Sequence, residues 1–97
     1  MMLFEWDPAK ARTNIAKHGV SFERAVQVFE GPVLTYVDQR FGSGDVREIA
    51  IGCIGDTVIL TVIHTDRNGV TRIISARPAS RAERRRYEQA LRQRTDT

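Results

Sequence analysis

Nine arginines lie between His64 and the end of the chain: Arg67, Arg72, Arg77, Arg81, Arg84, Arg85, Arg86, Arg92 and Arg94, set against four acids. The first 63 residues carry six basic and eight acidic side chains, so a net +3 chain divides into a half at −2 and a half at +5. A guanidinium offers a planar fork of donors that meets two phosphate oxygens at once. The skew therefore points to a polyanionic partner, against the competing reading of a merely solvated basic surface. His64 stands just ahead of this run, and an imidazole trades protons near neutral pH. Glu48, beside Arg47, adds a carboxylate able to act as a base or to steer an arginine. Guanidinium groups that hold negative charge and an imidazole or carboxylate that moves a proton are the parts of acid–base chemistry at a charged phosphorus centre. The candidate catalytic set is His64, Arg67, Arg77 and Glu48. Arg47, Arg72, Arg81, Arg84, Arg85 and Tyr87 are candidates for holding the polyanion.

Other chemistries lack their parts. The two histidines, His18 and His64, are far apart and Cys53 is the sole cysteine, so no metal-ligand spacing is visible and no cofactor is expected. Cys53 lies in the apolar run Ile51 to Ile54 and reads as a small buried apolar residue. There is no glycine-rich phosphate loop and no nucleophile elbow. No segment approaches the roughly 20 apolar residues of a membrane span. Met1 to Asp7 has two acids and no base, unlike a secretory signal. The expectation is a cytoplasmic, reduced protein.

The elements that must position these groups follow from turn and capping signals. With 97 residues, a single domain is expected. Leu3 to Trp6 alternates and reads as a short edge strand. Asp7-Pro8 starts a helix over Ala9 to Lys17, stopped at His18-Gly19. Ser21 caps a second helix, Phe22 to Glu30, with Phe22, Ala25, Val26 and Phe29 on one buried face, so the two form a helical hairpin. Four strand-like runs follow: Val33 to Asp38, Val46 to Ile54, Thr57 to Thr65 and Val70 to Arg77. Gly42-Ser43-Gly44 marks a flexible connection. Gly55-Asp56 and Asp66 to Gly69 mark tight turns, and short turns force antiparallel neighbours. Pro78 ends the last strand. Ser80 and Glu83 make a capping box for a basic helix from Arg81 to about Arg94, with a fraying tail at Thr95-Asp96-Thr97. The expected fold is α+β: a helical hairpin, a four-stranded antiparallel meander-type sheet with a further short N-terminal strand as an option, and a basic C-terminal helix.

In this frame His64 ends the third run and faces the fourth near Arg72. Arg77 feeds toward Arg81 and Arg84, which share a helix face, so a positive cleft at the sheet rim is expected. Each assignment has a plainer rival. His64 is open to reading as a sheet histidine bonded locally. The arginines are open to reading as a solvated face or as contacts to an acidic protein. Glu48 shares its face with Ala50 and Gly52, small residues that leave room for a ligand or, the preferred reading, for a packed helix. Tyr87 is more simply a core anchor than a base-stacking platform.

Phe4-Glu5-Trp6-Asp7-Pro8-Ala9-Lys10, Asn14 and Lys17-His18-Gly19-Val20-Ser21-Phe22 resemble the opening of BrnT toxins. Arg72-Ile73-Ile74-Ser75-Ala76-Arg77, Ala79, Arg81, Glu83-Arg84 and Tyr87-Glu88 resemble their later part. The resemblance covers nearly the whole chain. It implies a RelE-like compact fold and the toxin half of a type II toxin–antitoxin system that cleaves RNA and arrests growth. It also implies a BrnA-like antitoxin with a ribbon-helix-helix DNA-binding part, expected in a two-plus-two complex, so that operator DNA is met only through the antitoxin. Metal-independent transesterification, in which the ribose 2′-OH attacks the adjacent phosphorus, would suit the arginines and the histidine. The alternative is a non-catalytic nucleic-acid- or protein-binding module on the same scaffold.

Overall fold

A computed structural model describes residues 2–39 and 46–95. The expected glycine-rich connection at 42–44 and the last two tail residues lie outside them. The elements run β1 (Leu3–Glu5), α1 (Pro8–His18), α2 (Phe22–Ala25), a 3-10 segment (Val26–Glu30), β2 (Val33–Val37), β3 (Glu48–Ile54), β4 (Val58–Arg67), β5 (Val70–Pro78) and α3 (Arg81–Thr95).

The caps act where the sequence placed them. The Asp7 carboxylate accepts from the Ala9 N–H at 2.8 Å, and Gly19 closes α1 in the left-handed region at φ 70°. The Ser21 hydroxyl accepts from Arg24 N–H. The second helix keeps its α form only to Ala25 and tightens into the 3-10 segment. Val26 and Val28, β-branched residues that lower helix propensity, fall in that last stretch before Gly31-Pro32.

The sheet differs from the expected one in being five-stranded and mixed. Its order is β1-β5-β4-β3-β2. β2 to β5 are antiparallel to their neighbours, but β1 joins β5 in parallel, Leu3 opposite Val70 and Glu5 opposite Arg72. The β4–β5 turn is Asn68-Gly69 alone, with φ 52° and 81°. Two positive φ values make the tight hairpin turn whose twist matches the strands. The β3–β4 loop takes three residues, Gly55 to Thr57, rather than two.

Alternation along the strands sorts side chains onto two faces. Ala50, Ile54, Leu60, Val62, Ile73 and Ala76 meet Val20, Phe22, Ala25 and Val28 of the helical hairpin. Ile49, Ile51 and Ile63 meet Tyr87 and Leu91 of α3 on the other face. Trp6 stands edge-on to Phe22 and Phe4 packs on Phe29, so the N-terminal aromatics belong to the first layer. No helix among the described residues is long and apolar enough to cross a membrane.

Asn14 ties α1 to the sheet. Its amide donates to the carbonyls of Val20 and Ala76, both at 2.8 Å, and its side-chain oxygen accepts from Ala76 N–H at 3.1 Å. β1 pairs only with residues 70–72 of β5. Among the described residues no strand lies beside the outer edge of β5 at Ala76, and the amide takes a strand's place there.

Candidate functional site

The basic helix presents its charges as a stripe. Arg81, Arg84, Arg85 and Glu88 stand at i, i+3, i+4 and i+7, one face of a helix, and with Ala79 they line an open groove of about 470 Å³. Arg81, Arg84 and Arg85 are exposed and, among the described residues, take part in no ion pair. The opposite face of α3 is anchored. Tyr87 is 3% exposed and donates its hydroxyl to the Pro32 carbonyl at 2.9 Å, and Arg94 donates to Val33 O. Tyr87 is thus a core anchor, the plainer of its two readings. The stripe projects three guanidinium groups from the first turns of a helix whose own N-terminal dipole attracts anions.

The start of α3 is bolted to the sheet. Arg77 and Thr61 are partners across β4 and β5, and both reach Glu83. Arg77 makes a two-pronged contact, Nη1 to Oε1 at 2.7 Å and Nη2 to Oε2 at 2.9 Å. The Thr61 hydroxyl donates at 3.0 Å and the Ser80 N–H at 2.8 Å. The capping box is present, with Glu83 N–H donating to Ser80 Oγ, but its acid does more than cap. Arg77, expected to be catalytic, spends its fork on Glu83, on the same side of the sheet as the stripe.

The Arg77 hydrogen bonds, with smaller help from Ser80, the Arg77 charge and Thr61, pull the Glu83 carboxyl from its ordinary 4.5 to about 2. A folded value below the unfolded one means the stabilisation is complete above about pH 4.5 and is lost as pH falls through about 2. It is worth roughly 2 kcal/mol after allowance for solvent screening at a helix start. Urea midpoints of the parent and Glu83→Gln should differ at pH 7 and converge toward pH 2. A gap that stays constant with pH would rule this contact out as the source.

The second group of candidates lies on the other face. His64 is 4% exposed, where a rim position was expected. It pairs with Glu48 across β3 and β4, and its ring stands nearly perpendicular to that of Phe29, the centroids 5.2 Å apart. Its neighbour on β5 is Ile73 rather than Arg72, because the turn at Asn68-Gly69 pairs Arg67 with Val70 and the unbroken register from there sets Arg72 against Thr65 and Ile73 against His64. Arg72 points the opposite way and binds Glu5 at 2.7 Å. His64 Nδ1 lies 3.8 Å from Asp66 Oδ1, and the donor atoms of Glu48, His64 and Asp66 all lie within 4.8 Å of one another. Burial pushes the imidazole below its usual value, against the upward pull of Asp66 and then Glu48. The small residues beside Glu48 received the packed helix, Gly52 lying under Val28.

The fold therefore separates what the sequence had grouped. His64 and Glu48 share a face with the helical hairpin, while Arg77, Arg81, Arg84 and Arg85 gather at α3. Arg67 is at the far end of β4, six residues beyond Thr61, or about 20 Å along a strand. Arg47 precedes β3, and its carbonyl accepts from Asp38 N–H. Both have partners. Glu88 and Asp66 were not singled out. The helical period from Arg81 would have found Glu88, and alternation from His64 would have found Asp66.

Residues 6–83 match the family described as the ribonuclease toxin, BrnT, of type II toxin-antitoxin systems. The crystal structure of the Brucella abortus ribonuclease toxin, BrnT, is similar to this chain at 31% identity and a TM-score of 0.61, covering 84% of this chain and all of that one. No curated protein matches the sequence.

Proposed function

The chain belongs to the BrnT family of ribonuclease toxins of type II toxin–antitoxin systems, and from that premise we propose that it cuts RNA on the exposed face of α3 without a metal ion. The observation that supports this reading is the groove that collects Arg81, Arg84, Arg85 and Glu88. The arginines hold successive phosphates and stabilise the extra negative charge that builds on the phosphoryl oxygens as the ribose 2′-OH attacks. Glu88 is the carboxylate within the groove and takes the 2′-OH proton. The open groove lets water supply the proton that the departing 5′-oxygen needs. Arg77 is a positioning residue, which fixes the start of α3 through Glu83.

A family of this kind implies an antitoxin. The partner fitting this surface is BrnA-like, with acids set against the arginine stripe and a ribbon-helix-helix part that dimerises, giving a two-plus-two complex. The second reading, a binding module without catalysis, draws on the burial of His64 away from the arginines.

Purified chain incubated with bulk RNA in EDTA, well below its unfolding temperature, tests both. Cleavage is expected, with Glu88→Gln about 100-fold slower and the triple change of Arg81, Arg84 and Arg85 to alanine inactive and weakly bound. Cutting that survives Glu88→Gln but not His64→Ala would move the chemistry to the other face. RNA held in a salt-dependent way yet never cut would establish the binding module.

A further inference from the structure

We propose that Glu48, His64 and Asp66 form a binding site for a first-row divalent metal ion of the zinc type, on the face of the sheet opposite the arginine groove. The placement follows from the strands alone. Glu48 and His64 are opposite each other across β3 and β4, where side chains come closest. His64 and Asp66 are two apart on β4 and so share a face. One donor atom from each lies within 4.8 Å of the other two.

The histidine gives this cluster its meaning. Its side chain is 5% exposed, and neither ring nitrogen has a hydrogen-bond partner among the described residues. A buried polar group left unmet is destabilising by about 1–3 kcal/mol, and histidine has two such atoms. Nδ1 faces Asp66 at 3.8 Å, too far for a hydrogen bond but suited to sharing an ion. Bonds of about 2.0–2.2 Å to nitrogen and oxygen place neighbouring donors roughly 3.2–3.6 Å apart. Closing from the present spread asks about an ångström of side-chain movement. Asp66, 56% exposed at its side chain, is free to make most of that movement and keeps the site open to solvent.

The surroundings already orient the donors. Thr71 donates its hydroxyl to Asp66 Oδ1 at 3.0 Å, as outer-shell groups do for ligating carboxylates. The Phe29 ring walls the imidazole on one side. One imidazole with two carboxylates favours zinc, cobalt or manganese over calcium and magnesium, which prefer oxygen alone. Three protein donors leave a fourth position for water. The ion would staple the adjoining ends of β3 and β4, and it takes no part in the chemistry assigned to α3.

Untagged chain stripped with EDTA and dialysed is titrated with zinc by calorimetry, and with cobalt by visible absorption. One equivalent should bind, and a hundredfold excess over Kd should raise the unfolding temperature by about 10 °C. Magnesium and calcium should leave it unchanged. His64→Ala opens a hole beneath Phe29, so the exposed Asp66→Asn, with Glu48→Gln, carries the test. Each should weaken binding at least about tenfold while folding as the parent does. Zinc that leaves the parent's unfolding temperature unchanged overturns the proposal. So does undiminished binding by both variants, or a cobalt spectrum with a thiolate band, which would assign the ion to Cys53.

Discussion

Replacing Asn14 with alanine should destabilise the chain by about 3–4 kcal/mol, a large share of the roughly 5–15 kcal/mol that holds a domain of this size together. Asn14 is 5% exposed and makes three hydrogen bonds to main-chain groups, two of them on Ala76. Truncation leaves the Val20 and Ala76 carbonyls and the Ala76 N–H facing a small apolar gap. Asn14→Asp separates polarity from pattern. It retains an acceptor for the Ala76 N–H but turns oxygen toward the two carbonyls and buries a charge, so it should be at least as harmful as alanine. Thermal unfolding would show a fall of about 15 °C for alanine. An Asn14→Asp midpoint close to the parent's would mean that the amide donors contribute little and that α1 is held by packing alone.

Gly52→Val should cost about as much, at least about 3 kcal/mol, for the opposite reason. A Cβ on Gly52 would sit 2.6 Å from Val28 Cγ1 and 3.1 Å from the Val28 carbonyl oxygen. The side chain has room to turn aside only by displacing the core, and the carbonyl belongs to the 3-10 segment, so the whole segment must lift. Gly52→Ala should cost about 1–3 kcal/mol, and combining it with Val28→Ala should recover part of that loss, since the two changes share one space. Chemical denaturation of the four proteins measures the coupling. Strict additivity would show that the close approach at Gly52 is relieved elsewhere.

The local grammar of this chain was legible. Asp7-Pro8, Ser21 and the pair Ser80 and Glu83 each fix a helix start within one turn, and Asn68-Gly69 fixes a hairpin. The direction of β1 was not legible. A strand of three residues with no turn joining it to its partner carries no signal of parallel pairing. The site was legible in composition but not in place. The arginines were visible, and the helical period put Arg81 and Arg84 on one face. The sequence places His64 in the same cleft, because the end of a strand reads as a rim. Two facts decide otherwise: alternation along β4 puts His64 on the face of Leu60 and Val62, which the helical hairpin covers, and Phe29 packs against it from the 3-10 segment. The donor cluster at Glu48, His64 and Asp66 was hidden for a related reason. A search for ligand spacing along the chain cannot see residues that only a β3–β4 pairing makes neighbours.

The parallel seam between β1 and β5 also sets an order in time. Phe4 meets Thr71 and Asn14 meets Ala76, so the first strand and first helix close onto residues more than sixty positions later in the chain. Closing so long a loop is entropically slow. A chain emerging from a ribosome offers the backbone of its first strand no pairing partner until β5 has followed. The meander β3–β4–β5, joined by short local turns, can form first and serve as the template. The seam should then be the last part of the molecule to assemble and the first to open, and hydrogen exchange at Leu3 to Glu5 should run ahead of exchange in β4.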